Sequence, residues 1–525
     1  MPVRTGGAPL TIVDGIRVFA AAQPDAPAVI DGTSVLTYRQ LDLRASRLAN
    51  ALLGSGLSAG DTVAVLLGNR SEYCEIAAGI AKAGLVMVPL NPRMTAPEID
   101  YIVEHSESRA MILDDASAPA AATSAAALDT VLSIDGCRLG APYEDALAGA
   151  SAMDPLLALD ELAPFCVAYT SGTTGRPKGV VISHRSRSLT FQASALEWNL
   201  GVGRRSIAVA PMYHGAGFAF GYSPVHTGGT VSMLRSWNAE GLLAMIERDR
   251  AQSVFLVPTH AQMLRSLGAE RIAGYDLSSL DTIFFNAAAL PTQLKAWVLE
   301  TFPTAGVHEL YGSTESGIIS DLRPVDARRK SGSVGHAWFL TELKVLDDEG
   351  RAVGAGEPGE LFSRSPYLMN GYLKDAEASA ACTTEDGFLS CGDIVVRDED
   401  GYLYIVDRKK DVIISGGVNV YPREVEEAAL SHPAIRDIAV LGSPHEQWGE
   451  QVSAVVVLAD GAALTLDDLD AHLRPLLAGY KIPRELVLLD ELPRNAGGKV
   501  LKRALRDSFA AALAPPGPVP AGPTR

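Results

Sequence analysis

The chain has 525 residues, 47% of them apolar and 20% charged, which suits a soluble globular protein too long for one hydrophobic core. Its formal net charge of −17 argues against non-specific attachment to nucleic acid or to an anionic membrane, and leaves room for a locally basic nucleotide site. Five cysteines without a C-x-x-C pair argue against a disulfide framework and a structural zinc site. The N-terminus carries no apolar signal core and no apolar run reaches about 18 residues, so a cytoplasmic protein without a membrane span is expected.

In chain order, 41–53 places apolar residues at helical spacing, and 62–67 is a short apolar run bounded by Asp61 and Gly68, hence a buried strand. A helix follows over 73–82 and a strand over 86–90; such units build a sheet with parallel pairs and helices on its faces. The Ala-rich 116–128 reads as a surface helix. Apolar segments at 165–168 and 180–182 read as strands around a loop. Further strands are predicted at 206–211, 253–258 and 280–285, with helices at 240–250 and 292–301. Near Asp407 the character changes, for Arg408-Lys409-Lys410-Asp411 is a charged break between apolar strands at 403–406 and 412–414. The expected fold class is α/β: a large N-terminal domain of layered sheets and helices over 1–408 and a smaller mobile α+β domain over 409–513. The Pro- and Gly-rich 514–525 is expected to be a disordered tail.

The densest signal is Tyr169-Thr170-Ser171-Gly172-Thr173-Thr174-Gly175-Arg176-Pro177-Lys178-Gly179. Glycines let backbone N–H groups approach an anion, and hydroxyls with one ammonium add donors, so a polyphosphate is the natural ligand. The spacing excludes a Walker-type loop, because Pro177 precedes Lys178 and no Ser or Thr follows it. Further along stand Pro211-Met212-Tyr213-His214-Gly215, Asn286-Ala287-Ala288-Ala289-Leu290-Pro291 and Tyr311-Gly312-Ser313-Thr314-Glu315. Then come Gly359-Glu360-Leu361, Gly371-Tyr372, Cys391-Gly392-Asp393, Ser415-Gly416-Gly417 and, near the end, Gly497-Gly498-Lys499. Singly, each of these is more often a turn or a solvated charge.

Together and in this order they resemble the adenylate-forming superfamily of acyl-CoA synthetases, peptide-synthetase adenylation domains and firefly luciferase, over about 11–507. The resemblance implies that Thr170, Ser171, Gly172, Thr173, Thr174, Gly175 and Lys178 hold the phosphates of ATP. Tyr311 would stack on adenine, Thr314 bond the α-phosphate and Glu315 ligate magnesium, a metal that prefers oxygen ligands. Asn286 and Ala287 stand in place of the glycines of a turn against which adenine lies, and Ala287 and Ala288 would line the adenine site. Asp393 and Arg408 would bind ribose, and Lys410 would be the hinge of the small domain. Gly416 and Gly417 would face the pantetheine arm of coenzyme A. Lys499 would be the catalytic cation bridging the acid carboxylate and the α-phosphate. His214 would orient the carboxylate or gate its pocket; a satisfied core histidine is the alternative.

The implied reaction is that of an AMP-forming acyl-CoA synthetase of fatty-acid or aryl-CoA ligase type. It uses ATP, Mg2+ and CoA, forms acyl-AMP from a hydrophobic acid and expels pyrophosphate, then makes acyl-CoA and releases AMP. Small molecules are the expected partners, with a homodimer allowed. The rivals are transfer to a carrier-protein thiol, a non-catalytic nucleotide-binding regulator, which would be expected to lose Lys499 or Glu315, and a luciferase-like oxygenase.

Overall fold

The computed structural model describes residues 9–136, 139–170, 176–415, 418–445, 448–494, 498–502 and 504–506. The expected tail lies outside them. They divide into two compact units, Met1–Lys344 with Phe362–Cys391, and Val345–Leu361 with Gly392–Arg525. The chain passes from one unit to the other within the strands Glu342–Leu346, Pro358–Arg364 and Leu389–Arg397.

The first unit holds two sheets. The nine-stranded sheet runs in the order His336–Ala337, Gly317–Leu322, Gly306–Ser313, Thr282–Phe285, Ser253–Leu256, Arg205–Ala208, Thr230–Met233, Pro27–Asp31, Ser34–Thr37. From Gly306–Ser313 to Pro27–Asp31 every neighbouring pair is parallel. Their carboxyl ends therefore share one edge, the edge at which open α/β sheets bind ligands. The eight-stranded sheet has a parallel centre, Val86–Leu90, Thr62–Leu66, Ser108–Asp114 and Thr130–Ile134. One side of it ends in the antiparallel hairpin Pro164–Thr170/Lys178–Ser183 and the short edge strand Gly371–Tyr372.

Both sheets are buried on both faces, which is why their central strands read as continuous apolar runs. In Thr62–Leu66, Val63 and Val65 join one apolar cluster and Ala64 and Leu66 another, following the period of two. The first cluster takes residues from both sheets and from the helices Tyr38–Gly54, Glu72–Lys82, His184–Trp198 and Gly215–His226, so these helices lie between the sheets. Tyr38–Gly54 shows how the sequence sets such a helix. Leu41, Ala45, Leu48, Ala49 and Leu52 form its buried stripe, and Thr37 starts it with a capping box. The Gln40 side chain accepts from the Thr37 N–H at 2.9 Å, and the Thr37 hydroxyl accepts from the Gln40 N–H at 3.3 Å.

The expected strand at 206–211 is shorter, Arg205–Ala208. The reason is Asn69, a buried side chain from outside the strand. Its Nδ2 donates toward the carbonyls of Ala210 at 3.1 Å and Ala208 at 3.2 Å, and its Oδ1 accepts from the Met212 N–H at 2.8 Å. Asn69 thus takes over the partners a ladder would supply and bends the chain into the helix Gly215–His226.

In the second unit, Gly449–Leu458 pairs antiparallel with Ile435–His445 and parallel with Glu485–Leu488. Val440, Val452, Ala454 and Val456 pack with the helices Pro422–Ala429 and Leu466–Leu473, while Ala439, Leu441, Val455 and Val457 pack on the other face with Leu492 and Leu505. This is the small α+β arrangement expected of the region. Among the described residues, no helix is long and apolar enough to cross a membrane.

The Asn69 bend gives a stability test. Asn69→Ala strands the Met212 N–H and the Ala210 carbonyl, while the Ala208 carbonyl keeps the Leu234 N–H; the loss should cost about 1–3 kcal/mol. Calorimetry should show the first unit melting a few degrees lower; an unchanged midpoint would mean that the bend holds without this side chain.

Candidate functional site

The first unit brings several of the expected residues to the carboxyl edge of the nine-stranded sheet or to the hairpin beside it. Thr170 and Lys178 are cross-strand partners, the pair that closes the glycine-rich loop. Ser171, Gly172, Thr173, Thr174 and Gly175 lie outside the described residues. The loop's flanks are anchored on the helix Ala96–His105. Tyr101 donates from its hydroxyl to the Pro177 carbonyl at 3.1 Å, the Tyr169 hydroxyl lies 2.7 Å from His105 Nδ1, and the Arg176 guanidinium sits 5.4 Å from the Tyr101 ring centre.

Tyr311 ends the strand Gly306–Ser313, buried, and Thr314 and Glu315 form the turn into Gly317–Leu322. Two glycines are required here. A Cβ on Gly312 would stand 2.0 Å from the Gly317 carbonyl oxygen, and Gly317 itself has φ +69°. The Thr314 hydroxyl lies 4.0 Å from the place a Cβ on Gly215 would take, so the turn meets the first residue of the helix Gly215–His226. Ser313 Oγ and Cys391 Sγ are 3.0 Å apart, so Cys391 is a polar contact of this turn as well as a small filler.

Tyr372 joins these parts, and sequence reasoning gave it no role. Its strand pairs with Val180 and Val181, two and three residues beyond Lys178. Its hydroxyl donates to Glu315 Oε1 at 3.1 Å, and the Lys178 ammonium sits 5.0 Å from its ring centre. Burial, then the Glu315 charge, push the phenol well above its ordinary value, so it remains a donor. Asp375 Oδ2 lies 3.3 Å from Lys178 Nζ. The Gly371-Tyr372 pair in the sequence was the only signal, and nothing in it reveals a partner 57 positions away.

His214 precedes the helix Gly215–His226 at its N-cap. Its Nε2 is buried without a hydrogen-bond partner, and burial lowers its pKa, so the ring is neutral at pH 7. That differs from a satisfied core histidine. Ala287 and Ala288 are exposed just past the strand Thr282–Phe285. Ala287 has φ +71°, and its N–H donates to Asn286 Oδ1 at 2.5 Å. The backbone thus keeps a glycine-like path with an alanine in it.

The second unit gathers another set. Asp393 and Arg408 are cross-strand partners, and Arg408 Nε lies 2.5 Å from the buried Asp393 carboxylate. Packing around the Lys499 ammonium, then the like charge of Arg408, lower its pKa to about 8; Lys410 adds to this, and Asp393 and Asp411 oppose it. The residue as a whole keeps an exposed surface, and its charged neighbours pull in both directions. Lys409 is tied to Glu360 and Asp348, each at 3.0 Å. Gly416 and Gly417 lie outside the described residues.

Among the described residues, no group of three His, Cys, Asp or Glu side chains could hold a metal by itself. Glu315, fixed by Tyr372, offers one carboxylate. That suits magnesium, which usually takes one or two carboxylates and fills its octahedron with phosphates and water.

A family model described as "AMP-binding enzyme" matches residues 16–373, and "AMP-binding enzyme C-terminal domain" matches 424–499. The chain is 36% identical over 493 residues to a feruloyl-CoA synthase of Amycolatopsis, covering 93% of this chain and 97% of that one. It is 34% identical over 509 residues to the fatty acid–[acyl-carrier-protein] ligase ScoC of Streptomyces coeruleorubidus, covering 95% and 96%. The ATP-bound structure of MatB from Rhodopseudomonas palustris superposes with a TM-score of 0.86 at 30% identity, covering 94% and 99%.

The Ala287 backbone gives a second test. A left-handed alanine costs about 1–2 kcal/mol, which Ala287→Gly relieves against a smaller loss through the unfolded chain. The variant should be neutral to about 1 kcal/mol more stable in denaturant melts. A loss of about 1 kcal/mol would show an ordinary loop position instead.

Proposed function

The chain belongs to the family of AMP-binding enzymes, and on that premise we propose that it is an acid–thiol ligase that activates a hydrophobic carboxylic acid with ATP and passes the acyl group to coenzyme A. One observation carries the site reading: Lys178, Tyr372 and Glu315 are linked to one another, and Thr314 of the same turn meets the helix that His214 caps.

In the first half-reaction a carboxylate oxygen attacks the α-phosphorus of ATP, and the bond to pyrophosphate breaks. Lys178 and the glycine-rich loop bind the leaving phosphates. Thr314 donates to the α-phosphate. The neutral His214 ring presents Nε2 to the carboxylate without adding a charge that would hold it back. Asp393 and Arg408 bind the ribose hydroxyls, and Lys499 bridges the carboxylate and the α-phosphate as charge moves between them. Glu315 would hold magnesium, which supplies charge neutralisation on the phosphates. In the second half-reaction the thiolate of CoA attacks the acyl carbon and AMP leaves.

The small domain, 409–513, is proposed to act as a lid that turns at Arg408-Lys409-Lys410, presenting Lys499 for adenylation and Gly416-Gly417 for the thiol. We place the reaction in the cytoplasm, where ATP and CoA are both supplied. A carrier-protein thiol is the second acceptor to examine, because a carrier-protein ligase is among the relatives. Incubation of the acyl-AMP enzyme with CoA or with carrier protein separates the two.

Two results are expected of Lys499. Lys499→Ala should slow acyl-AMP formation by about 10² or more while thioester formation from supplied acyl-AMP survives. Equal loss in both assays would remove Lys499 from a role in one half-reaction. The ammonium is charged below its pKa, and that pKa is lowered to about 8. So kcat/KM for ATP, which reports the free enzyme, should fall as pH rises through about 8. A profile flat to the ordinary lysine range, near about 10, would contradict this.

A further inference from the structure

We propose that Phe220 closes the acyl compartment of this enzyme, so that it takes a compact acid, with a single ring or a short chain, and turns away long-chain acids. This rests on the acid-activating reading above. The argument starts at the turn carrying Thr314, which meets Gly215 at the start of the helix Gly215–His226. A carboxylate held between His214 and Thr314 must send its acyl part away from the phosphates, into the apolar cluster beneath the turn. That cluster contains Leu310 and Ile318, which flank the turn on its two strands, and it receives Ala216 and Phe220, one helical turn apart on the same stripe.

Ala216, at the start of the helix, is a small side chain packed against this cluster, and Phe220, one turn on, is a large one within it. The Phe220 ring lies face to face on Phe255, with centroids 4.7 Å apart and planes 3° from parallel. It also meets Phe284 at 4.8 Å and the Trp198 ring at 5.7 Å. Behind it Trp198 stacks on Trp338 at 5.1 Å, and all five rings are buried. Five residues separate Gly215 from Phe220, about 7–8 Å along a helix axis. One aromatic ring or a chain of roughly six carbons spans that distance; a longer chain must displace a ring packed on three others.

The feature is a wall, not a charge pattern. His308, which packs on Trp198 and Phe284, is paired with Asp321, and the aromatic faces of the cluster favour a flat or compact apolar group.

The test uses the purified full-length chain with ATP and magnesium, scoring pyrophosphate release with acetate, hexanoate, benzoate and dodecanoate. For the wild type, kcat/KM should be about tenfold or more higher for hexanoate or benzoate than for dodecanoate. Phe220→Ala should raise dodecanoate about tenfold or more relative to hexanoate, with the KM for ATP unchanged, and Phe220→Leu should do so in part. Ala216→Leu should act in the opposite sense, suppressing hexanoate and benzoate while sparing acetate, so the proposal remains testable if Phe220→Ala does not fold. Wild-type enzyme that uses dodecanoate as well as hexanoate overturns the proposal. So does a folded Phe220→Leu or Ala216→Leu variant, checked by thermal melt, with an unchanged acid profile. If no acid releases pyrophosphate, the acid-activating reading itself fails and this one falls with it; activation regardless of length overturns only the wall.

Discussion

The hydrogen bond from Tyr372 to Glu315 is the contact on which the rest of the first unit's site depends. Tyr372 belongs to the edge of the eight-stranded sheet and Glu315 to the turn at the end of the nine-stranded one. Each sheet alone carries half of the proposed nucleotide site. The hairpin with Lys178 has donors for phosphates, and the turn with Thr314 and Glu315 has a hydroxyl and a carboxylate. A single half-buried phenol, with Lys178 over its ring and Glu315 at its hydroxyl, fixes the two halves at one spacing. The neighbouring backbone reinforces it: the Met369 N–H donates to the Glu315 carbonyl at 2.7 Å, and the Leu373 N–H donates to the Gly179 carbonyl at 2.7 Å. A short strand therefore bonds one sheet on one side and the turn carrying Thr314 and Glu315 on the other.

A second constraint sets the third wall. The segment from Ala208 to Met212 cannot continue the parallel ladder and also deliver His214 to the edge of the sheet. Asn69 resolves this by satisfying the segment's backbone groups with one buried amide, which low dielectric makes costly to lose. The helix that follows then begins beside Thr314. The position of His214, the approach of Gly215 and the depth of the slot toward Phe220 all follow from where that bend is placed.

Much of this was legible in the sequence, for identifiable reasons. Strands such as 62–66 and helices such as 292–301 carry clean periodicity, and the structure places them within a residue or two of the expected bounds. The Thr170–Lys178 pair, the Tyr311–Glu315 turn and the Asp393–Arg408 pair declare themselves because glycine, hydroxyl and charge recur at close spacing. Tyr372, Asp375 and Asn69 do not. A tyrosine after a glycine and an asparagine before an arginine look ordinary until the chain has folded, since their partners lie on other elements. Register also hides Phe220: along the helix it is one of several aromatic residues, and only the packing separates it from Phe218 and Tyr222, which belong to a different cluster.

That separation has an energetic consequence. Phe218 and Tyr222 serve the core between the two sheets, and the Phe220 stack serves both as core and as the end of the acyl slot. Interiors are packed near crystal density, so a substitution that enlarges the slot also leaves a cavity whose cost grows with its volume. Acid selectivity and the stability of the first unit are thus written into the same rings. A sequence that lengthens the slot must either accept a looser core or fill the space from another direction, for example by exchanging Phe255 or Trp338 together with Phe220. Paired substitution at these contacts, which are close enough to couple, would change the acid size while leaving Lys178, Thr314 and Glu315 at the edge of the sheet untouched.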